Sequence, residues 1–437
     1  MQPIDLFVNN YQNSILESGI RLHFIKTKVK KSCFIKIIIR CAPFLENSQN
    51  KGISHLVEHM IFQGNKKLGN RFHLNRILES LPGDINAATS FEQTEFWYSF
   101  PVYASRAAIK NFCYLLFYPE FSNFEKEKSV ICEEIKVDFN EKMQPNNLLN
   151  IANDILWQEQ PPSFPTCGTI ESINKLNEQE LKTYYKRHYH PENMIIGVVG
   201  DLEIDNLVET FNHYIPQFNE SYKKPQIPPC SLAKNHSPHI KWINHQSSQI
   251  EFLWSFPIEE LSDRQILLLD LLSHLMDDGS SSAFFRKIRE DKGLVYEIST
   301  SIFQYQKSAI FYIQTRVSGD RLLEFSRVLS KEIKRIINKG FMHWELLMHK
   351  KRRQGEIYCL SDFPQEYLEQ MIEDSLYPNR TLAQYRELLD AVTLDDVNKL
   401  AIKLFDNQKS LLLLSALEQD KAKFSEKLQN IYSHWLN

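Results

Sequence analysis

Gly52-Ile-Ser-His-Leu-Val-Glu-His-Met-Ile-Phe-Gln-Gly64 is the stretch from which both the fold and the site of this 437-residue chain are inferred. The spacing of its apolar residues predicts a helix, with Ser54 as the N-cap. His55 and His59 lie four positions apart, so on a helix their imidazoles share one face and can converge on one metal ion. Glu58 lies at the border of that face, where its carboxylate can reach a water on the metal without being a ligand. On these residues alone, an alternative in which both histidines are partly exposed and pair with Glu58 stays open.

A catalytic zinc site needs a third protein ligand and an open fourth position. The acidic stretch 123–136 is predicted to be helical, and Glu127 and Glu134 lie seven residues apart on one of its faces. Either carboxylate can point towards the metal, whereas Glu133 points elsewhere. The pattern therefore predicts one zinc ion per chain, with its third ligand drawn from this second helix.

Composition argues against nucleic-acid binding. The formal net charge is −3, and 24% of the residues are charged, so there is no basic field of the kind that a phosphate backbone requires. Glycine is scarce, with 13 residues, which leaves little material for Gly-rich phosphate loops.

Cysteine usage and hydropathy favour a cytoplasmic protein. The seven cysteines are an odd number and include no Cys-x-x-Cys pair, which is typical of free thiols in a reducing compartment. Residues 1–19 contain acidic and amide side chains where a signal peptide would have an apolar core. No apolar run approaches the roughly 20 residues needed to cross a bilayer. We therefore expect no membrane-spanning segment.

The length favours two domains of about 200 residues each. The stretch 216–239 is polar and rich in proline, which is typical of an interdomain linker. This predicts an N-terminal zinc-binding domain at residues 1–215 and a C-terminal domain at residues 240–437.

The two halves of the sequence also resemble one another, which predicts a duplicated unit. Residues 83–100 resemble residues 293–314, and residues 184–201 resemble residues 400–417. Apolar patterning predicts strands at residues 22–39, 96–101, 194–199, 250–256 and 298–315. The fold class expected is α+β, with two homologous domains that each have a largely antiparallel sheet and helices packed on one face.

The order His-x-x-Glu-His resembles the inverted zinc motif of the pitrilysin and insulin-degrading-enzyme family, the inverzincins, and the chain is most similar to its half-length, mitochondrial-processing-peptidase-like bacterial branch. In that family the third ligand is a glutamate about 75 residues after the second histidine, with a supporting glutamate seven residues before it. Glu134 and Glu127 occupy those positions here.

The resemblance extends over nearly the whole chain and implies a substrate-binding set. Asn86-Ala-Ala-Thr89 matches the family's Asn-Ala-x-Thr strand, so Asn86 and Ala87 are expected to bind substrate. Arg289 and Tyr296 look like the family's pair that contacts substrate near the scissile bond. The implied fold is that of the processing peptidases, which is also the LuxS-like fold.

The function implied by the resemblance is a zinc metalloendopeptidase that hydrolyses extended or unfolded peptide segments in an enclosed chamber, with Glu58 activating a water. A half-length chain can enclose a chamber only by pairing, so a homodimer, or a heterodimer with a similar chain, is expected. In it the zinc site of one subunit would face Arg289 and Tyr296 of the other. A different function also stays open, namely a catalytically idle family member that serves as a peptide-binding or scaffold subunit of a maturation complex.

Overall fold

The computed structural model describes residues 10–28, 31–137, 147–218, 222, 227, 230–233, 239–245, 247–406 and 409–436. The chain divides into two units. Unit 1 contains Met1–Lys136, Gln160–Pro229 and Ile357–Leu376, and unit 2 contains Val137–Glu159, Cys230–Glu356 and Tyr377–Asn437.

The helices of the described chain alternate with strands in both units. In chain order they are α1 (Ile53–Ile61), α2 (Arg71–Ser80), α3 (Ser105–Phe117), α4 (Phe124–Val137), α5 (Leu148–Trp157), α6 (Ile170–Lys175), α7 (Glu178–His188), α8 (Ile204–Tyr214), α9 (Asp263–Asp277), α10 (Leu322–Lys339), α11 (His343–Cys359), α12 (Pro364–Leu376), α13 (Leu382–Ala391), α14 (Leu394–Phe405) and α15 (Glu418–Leu436). Short 3-10 turns lie at Pro43–Leu45, Val102–Ala104, Pro161–Ser163, Pro191–Asn193 and Leu360–Asp362, and a π-helical turn lies at Phe285–Glu290. No helix among the described residues combines the length and the apolar character that a membrane crossing requires.

Unit 1 is built on a six-stranded sheet. Its strands are β1 (Tyr11–Ile15), β2 (Arg21–Lys26), β3 (Ser32–Ile39), β6 (Asp84–Thr89), β7 (Thr94–Pro101) and β8 (Met194–Gly200), and a separate small ribbon is formed by β4 (Gly64–Asn65) and β5 (Gly69–Asn70). The order across the sheet is β1-β2-β8-β3-β7-β6, and β2 with β8 is its parallel pair. The predicted strand 22–39 is thus two strands, because a lysine-rich stretch interrupts its apolar run.

Burial along the strands follows their position in this sheet. The central β8 is apolar and buried along its whole length, whereas β7, next to the edge, alternates buried and half-buried residues. Such alternation places one side-chain set on the helical layer and the other on the opposite face.

Unit 2 repeats this plan with five strands. They are β9 (Ile240–Asn244), β10 (Gln249–Ile258), β11 (Ile298–Tyr305), β12 (Ser308–Ser318) and β13 (Leu411–Ala416), in the order β11-β12-β10-β13-β9. The predicted strand 298–315 is a hairpin of β11 and β12, which turns at Gln306 with φ 53°.

The two sheets have the same topology. The order β6-β7-β3-β8-β2 of unit 1 corresponds strand for strand to β11-β12-β10-β13-β9 of unit 2. The parallel pair also falls at the same place, β2 with β8 in one unit and β9 with β13 in the other. The predicted α+β fold of two homologous, largely antiparallel units is therefore confirmed.

Each half of the sequence contributes one helix to the unit that is built mainly from the other half. Helix α12 packs on β8 and β2 in unit 1, where Leu368 and Ile372 contact the face that carries Ile195 and Val199. Gly197 permits the close approach, because a Cβ there would lie 2.6 Å from Cδ1 of Ile372. Helix α5, from the N-terminal half, packs on β10 and β13 in unit 2.

This exchange makes the units differ from the predicted contiguous domains. Residues 137–159 lie within predicted domain 1–215 but belong to unit 2, and residues 357–376 lie within predicted domain 240–437 but belong to unit 1. The reason is that an amphipathic helix buries its apolar side on whichever sheet face lies open to it, whatever its place in the sequence. Much of the predicted linker 216–239 lies outside the described residues.

Candidate metal centre

Helix α1, which carries the paired histidines, begins at a glycine. Gly52 is the N-cap, with φ 85° in the left-handed region. A Cβ at Gly52 would lie 2.7 Å from the carbonyl oxygen of Cys167 and 2.8 Å from Cα of Gly168, so both backbone conformation and close approach require glycine. The prediction that Ser54 caps the helix is wrong, since its hydroxyl is instead hydrogen-bonded to the Tyr184 hydroxyl at 2.9 Å.

The carboxylate of Glu46 supplies the cap that glycine cannot. The Gly52 N–H donates to Glu46 Oε2 at 2.7 Å, and the Ser54 N–H donates to Oε1 at 3.0 Å. A helix leaves such N–H groups unpaired at its first turn, and a negative charge there is favoured by the helix dipole. Glu46 is buried, and this burial raises its pKa from 4.5 to about 7 despite the hydrogen bonds.

Helices α1 and α4 bring three predicted ligands together. His55 Nε2 lies 3.7 Å from Glu134 Oε1, and His59 Nε2 lies 3.5 Å from Glu134 Oε2. One ligand atom from each of the three residues lies within 4.8 Å of the other two. No other group of three His, Cys, Asp or Glu side chains converges in this way within the described part of the chain.

These separations suit a metal better than direct hydrogen bonds. Both are longer than an N–H···O hydrogen bond of about 3 Å. They are close to the spacing of about 3.3 to 3.5 Å expected between neighbouring ligand atoms on a four-coordinate zinc ion, given its bond lengths of about 2.0 to 2.2 Å. Two imidazoles and one carboxylate are also a donor set that catalytic zinc uses. The residues present therefore fit a zinc ion.

Glu127 holds the second histidine in place. Its Oε1 lies 2.9 Å from His59 Nδ1, which leaves Nε2 of that ring directed at the ligand group. Arg71 lies 3.7 Å from the other Glu127 oxygen and donates to Gln63 Oε1 at 2.9 Å. A carboxylate in this position fixes the tautomer and the orientation of a metal-ligating histidine.

The two histidines have opposite electrostatic surroundings. Burial, with the nearby His59, lowers the pKa of His55 to about 3, so His55 is neutral and has a free lone pair at neutral pH. Burial also acts to lower the pKa of His59. The hydrogen bond to Glu127 and the carboxylates of Glu58 and Glu134 outweigh it, however, and this pKa is raised. The same surplus of carboxylates would attract a divalent cation.

Glu58 is buried beside the ligand group. Burial raises its pKa, partly offset by a hydrogen bond from Thr89 and by the proximity of His59. Thr89 Oγ1 donates to Glu58 Oε2 at 2.5 Å. A carboxylate with a raised pKa and one committed oxygen is suited to take up a proton at its second oxygen.

Asn86 and Ala87 lie on β6, one of the two edge strands of the sheet. Among the described residues β6 pairs with β7 alone, on one side. The Ala87 N–H donates to the side-chain oxygen of Asn86 at 2.9 Å, and Asn86 is exposed. The edge strand thus has an N–H group whose acceptor is an exposed side chain.

Arg289 and Tyr296 lie close together in unit 2. The Arg289 guanidinium is 4.4 Å from the ring centre of Phe285 and 5.4 Å from that of Tyr296. Tyr296 is 82% exposed, so its hydroxyl is accessible to a ligand. The aromatic rings on the guanidinium restrict its orientation.

Sequence reasoning did not find Glu46 or Arg71, and it named Thr89 only as part of a signature. An acidic residue shortly before a helix that opens with glycine is a usable signal for Glu46, because such a helix has no side-chain cap of its own. Nothing in the spacing of Arg71 or Thr89 indicates their partners, which come from other elements.

The region that contains the residues of this centre is similar to known proteins. The chain matches the family description "Insulinase (Peptidase family M16)" over residues 22–169 and "Peptidase M16 inactive domain" over residues 175–353. The first match contains His55, Glu58, His59 and Glu134. YmxG, an uncharacterized zinc protease of Bacillus subtilis, is 24% identical over 412 residues, which are 91% of this chain and 97% of YmxG.

Solved structures share the fold. A peptidase M16 inactive domain from Pseudomonas fluorescens superposes with a TM-score of 0.79 at 16% identity, covering 93% of this chain and 98% of that one. The periplasmic protease PqqL of Escherichia coli superposes with a TM-score of 0.76 at 18% identity, and the match covers 98% of this chain but 50% of PqqL.

Proposed function

Because the chain belongs to the M16 peptidase family, as the sequence predicted, we propose that it is a zinc-dependent peptidase. In this proposal His55, His59 and Glu134 hold one zinc ion and Glu58 is the general base. The observation that carries it is the convergence of the three ligand atoms within 4.8 Å, with the buried carboxylate of Glu58 beside them.

The chain's own residues have distinct tasks in the mechanism. A bound zinc ion would supply Lewis acidity, which acidifies water and polarises a carbonyl group. Glu58 accepts the proton of the attacking water at Oε1, because Oε2 is occupied by the Thr89 hydroxyl, and then delivers this proton to the leaving amine. Glu127 keeps the His59 ring oriented throughout.

The proposed substrate is an extended peptide. The free edge of β6 can accept one more strand through backbone hydrogen bonds, which depend little on side-chain identity. Rotation of the Asn86 side chain would release the Ala87 N–H for such a strand. We expect peptides held in this way to be cut with broad tolerance for sequence.

Pairing of two half-length chains is part of the proposal. The match to only 50% of PqqL supports an arrangement in which two chains do what one longer chain does there. Arg289 and Tyr296 of one subunit would then serve the zinc site of its partner. Solution scattering should give the mass of a homodimer, or of a heterodimer when a similar chain is present, and full activity in a strict monomer would refute this part. The cytoplasmic location also stays a prediction.

Metal analysis combined with cleavage of a quenched fluorescent peptide library tests the central proposal. The wild-type protein should bind one zinc per chain and cleave peptides. Glu58→Gln should keep the zinc and lose hydrolysis, and Glu134→Ala should lose the zinc. Glu133→Gln is the matched control, because Glu133 lies on the same helix, points to solvent and pairs with Lys136.

Three results would contradict specific parts of the proposal. Wild-type rates in Glu58→Gln would remove the assigned base. Full zinc occupancy in Glu134→Ala would remove the assigned third ligand. A wild-type protein that binds both zinc and peptides without cleaving them would favour the idle, peptide-binding subunit instead.

A further inference from the structure

We propose that Thr89 is a positioning residue for Glu58 and ties the base to the strand that would bind the substrate. The inference rests on the proposed peptidase function and extends it to a residue outside the ligand set. Thr89 is the last residue of β6, whose edge is the proposed peptide-binding edge, and its hydroxyl contacts the Glu58 carboxylate.

The Thr89 hydroxyl is the donor and the Glu58 carboxylate the acceptor of the hydrogen bond between them. Thr89 Oγ1 lies 2.5 Å from Glu58 Oε2 and 3.3 Å from Thr94 Oγ1, and Thr94 Oγ1 lies 2.7 Å from the Cys41 carbonyl oxygen. Each hydroxyl has one proton, and a carbonyl oxygen can only accept. The Thr94 proton is therefore committed to Cys41, and the Thr89 proton goes to the nearer, charged acceptor, Glu58.

The backbone around Thr89 fixes its hydroxyl. Thr89 and Thr94 are cross-strand partners at the closed end of the β6–β7 hairpin. The turn between them is closed by the Ser90 N–H, which donates to the Gln93 carbonyl oxygen at 2.8 Å. Thr94 is fully buried, and a β-branched threonine in a strand has few side-chain rotamers. The donor is thus held in place before any substrate arrives.

The position of Thr89 has two consequences for Glu58. The bond to Oε2 leaves Oε1 as the oxygen that faces the reaction. It also fixes Glu58 relative to Asn86 and Ala87, which lie on the same short strand, so that a peptide added to this edge comes to lie at a defined distance from the base. Loss of the hydroxyl should therefore impair turnover more than peptide binding.

Steady-state kinetics of threonine variants tests this role. Thr89→Val replaces the hydroxyl by a methyl group of similar volume and should lower kcat by about 10- to 100-fold, because one hydrogen bond to a charged group is lost. The KM should stay within about twofold and the zinc content at one per chain. Thr89→Ser restores the hydroxyl and should recover kcat to within about threefold of wild type.

Thr94→Val is the matched control, since it removes a hydroxyl from the partner position in the same hairpin but one whose proton goes to Cys41. It should lower the melting temperature and leave kcat within about threefold. Thr89→Ala replaces Thr89→Val if the valine variant does not fold.

The outcomes separate this inference from the proposed function. A wild-type protein that cleaves peptides, together with a Thr89→Val or Thr89→Ala variant of unchanged kcat, would overturn the role of Thr89 alone. Equal losses in Thr89→Ser and Thr89→Val would also overturn it, because the hydroxyl would then not be the group that matters. A wild-type protein that cleaves no peptide removes the proposed function, and the role of Thr89 falls with it.

Discussion

Gly52→Ala should destabilise the fold at the start of the ligand-bearing helix. The added methyl group has two separate costs there. Gly52 has φ 85°, a conformation that an alanine adopts with a penalty of about 1 to 2 kcal/mol. Its Cβ would also lie 2.7 Å from the Cys167 carbonyl oxygen and 2.8 Å from the Gly168 Cα. Both are backbone atoms, which cannot rotate away.

The structure offers a control that isolates the first cost. Gly19 has φ 91°, and a Cβ there would meet nothing within 4 Å. Gly19→Ala should therefore lower the free energy of unfolding only by the conformational penalty of about 1 to 2 kcal/mol. At Gly52 overpacking adds about 1 to 3 kcal/mol, so Gly52→Ala should lower the free energy of unfolding by about 2 to 5 kcal/mol in total.

Denaturant unfolding of both variants, without zinc, measures the difference in free energy. Zinc titration of the folded variants then measures the effect on the site. Because a shift of α1 moves both His55 and His59, Gly52→Ala should bind zinc about 10- to 100-fold more weakly, whereas Gly19→Ala should bind it as wild type does. Equal losses of stability in the two variants would refute the reasoning, since they would mean that the contact with Cys167 relaxes at no cost.

Three further predictions concern other parts of unit 1. Glu127→Gln weakens the hydrogen-bonded support of His59 and should lower zinc affinity about 10- to 100-fold in a competition titration; unchanged affinity would exclude that support. Glu46 has its pKa raised from 4.5 to about 7 on folding, so its contribution to stability is present below pH 4.5 and is lost as the pH rises towards 7, by about 3 kcal/mol in total. Between pH 4.5 and 8 the free energy of unfolding should therefore fall by about 3 kcal/mol more in the wild type than in Glu46→Gln. Parallel profiles of the two proteins would contradict this. Leu368→Ala should lower the free energy of unfolding by about 2 to 5 kcal/mol in chemical denaturation, because Leu368 is fully buried on the sheet of unit 1. The same change at Leu347, which is 43% exposed, should lower it by less than about 0.5 kcal/mol. Similar losses in the two variants would argue against the packing of α12.

Local periodicity was enough to predict the face shared by His55 and His59, because two residues four apart on a helix have a fixed geometry. It could not decide between Glu127 and Glu134, which also share a face. The structure separates them by which imidazole nitrogen each approaches. Glu134 lies near Nε2 of both histidines, and Glu127 lies at Nδ1 of His59. That difference depends on the packing of α4 against α1, which no spacing within either helix specifies.

The features of the fold that the sequence could not predict also depend on packing between elements. The repeat of strands was visible in the sequence, because each half has to bury a sheet with the same apolar pattern. The exchange of α5 and α12 was not, because Leu148–Trp157 and Pro364–Leu376 have apolar faces that would suit either sheet. Domain boundaries drawn from composition therefore followed the chain, whereas the units follow the packing.

Despite the duplication, the described part of unit 2 has no second three-ligand group, because its equivalent helices carry different side chains. Helix α9 follows β10 as α1 follows β3, and it carries Asp270 and His274 four residues apart, as α1 carries its two histidines. Helix α11 takes the place of α4, but it brings a cation where α4 brings a carboxylate. The Arg353 guanidinium lies 3.5 Å from Asp270 Oδ2, and the Tyr385 hydroxyl donates to the same oxygen at 2.7 Å. The Asp270 carboxylate thus already has a cation and a hydroxyl as partners within the protein, and Arg353 is also paired with Glu356 at 2.7 Å. One scaffold, used twice, thus carries three side chains that fit a divalent ion in unit 1 and an internal ion-pair network in unit 2.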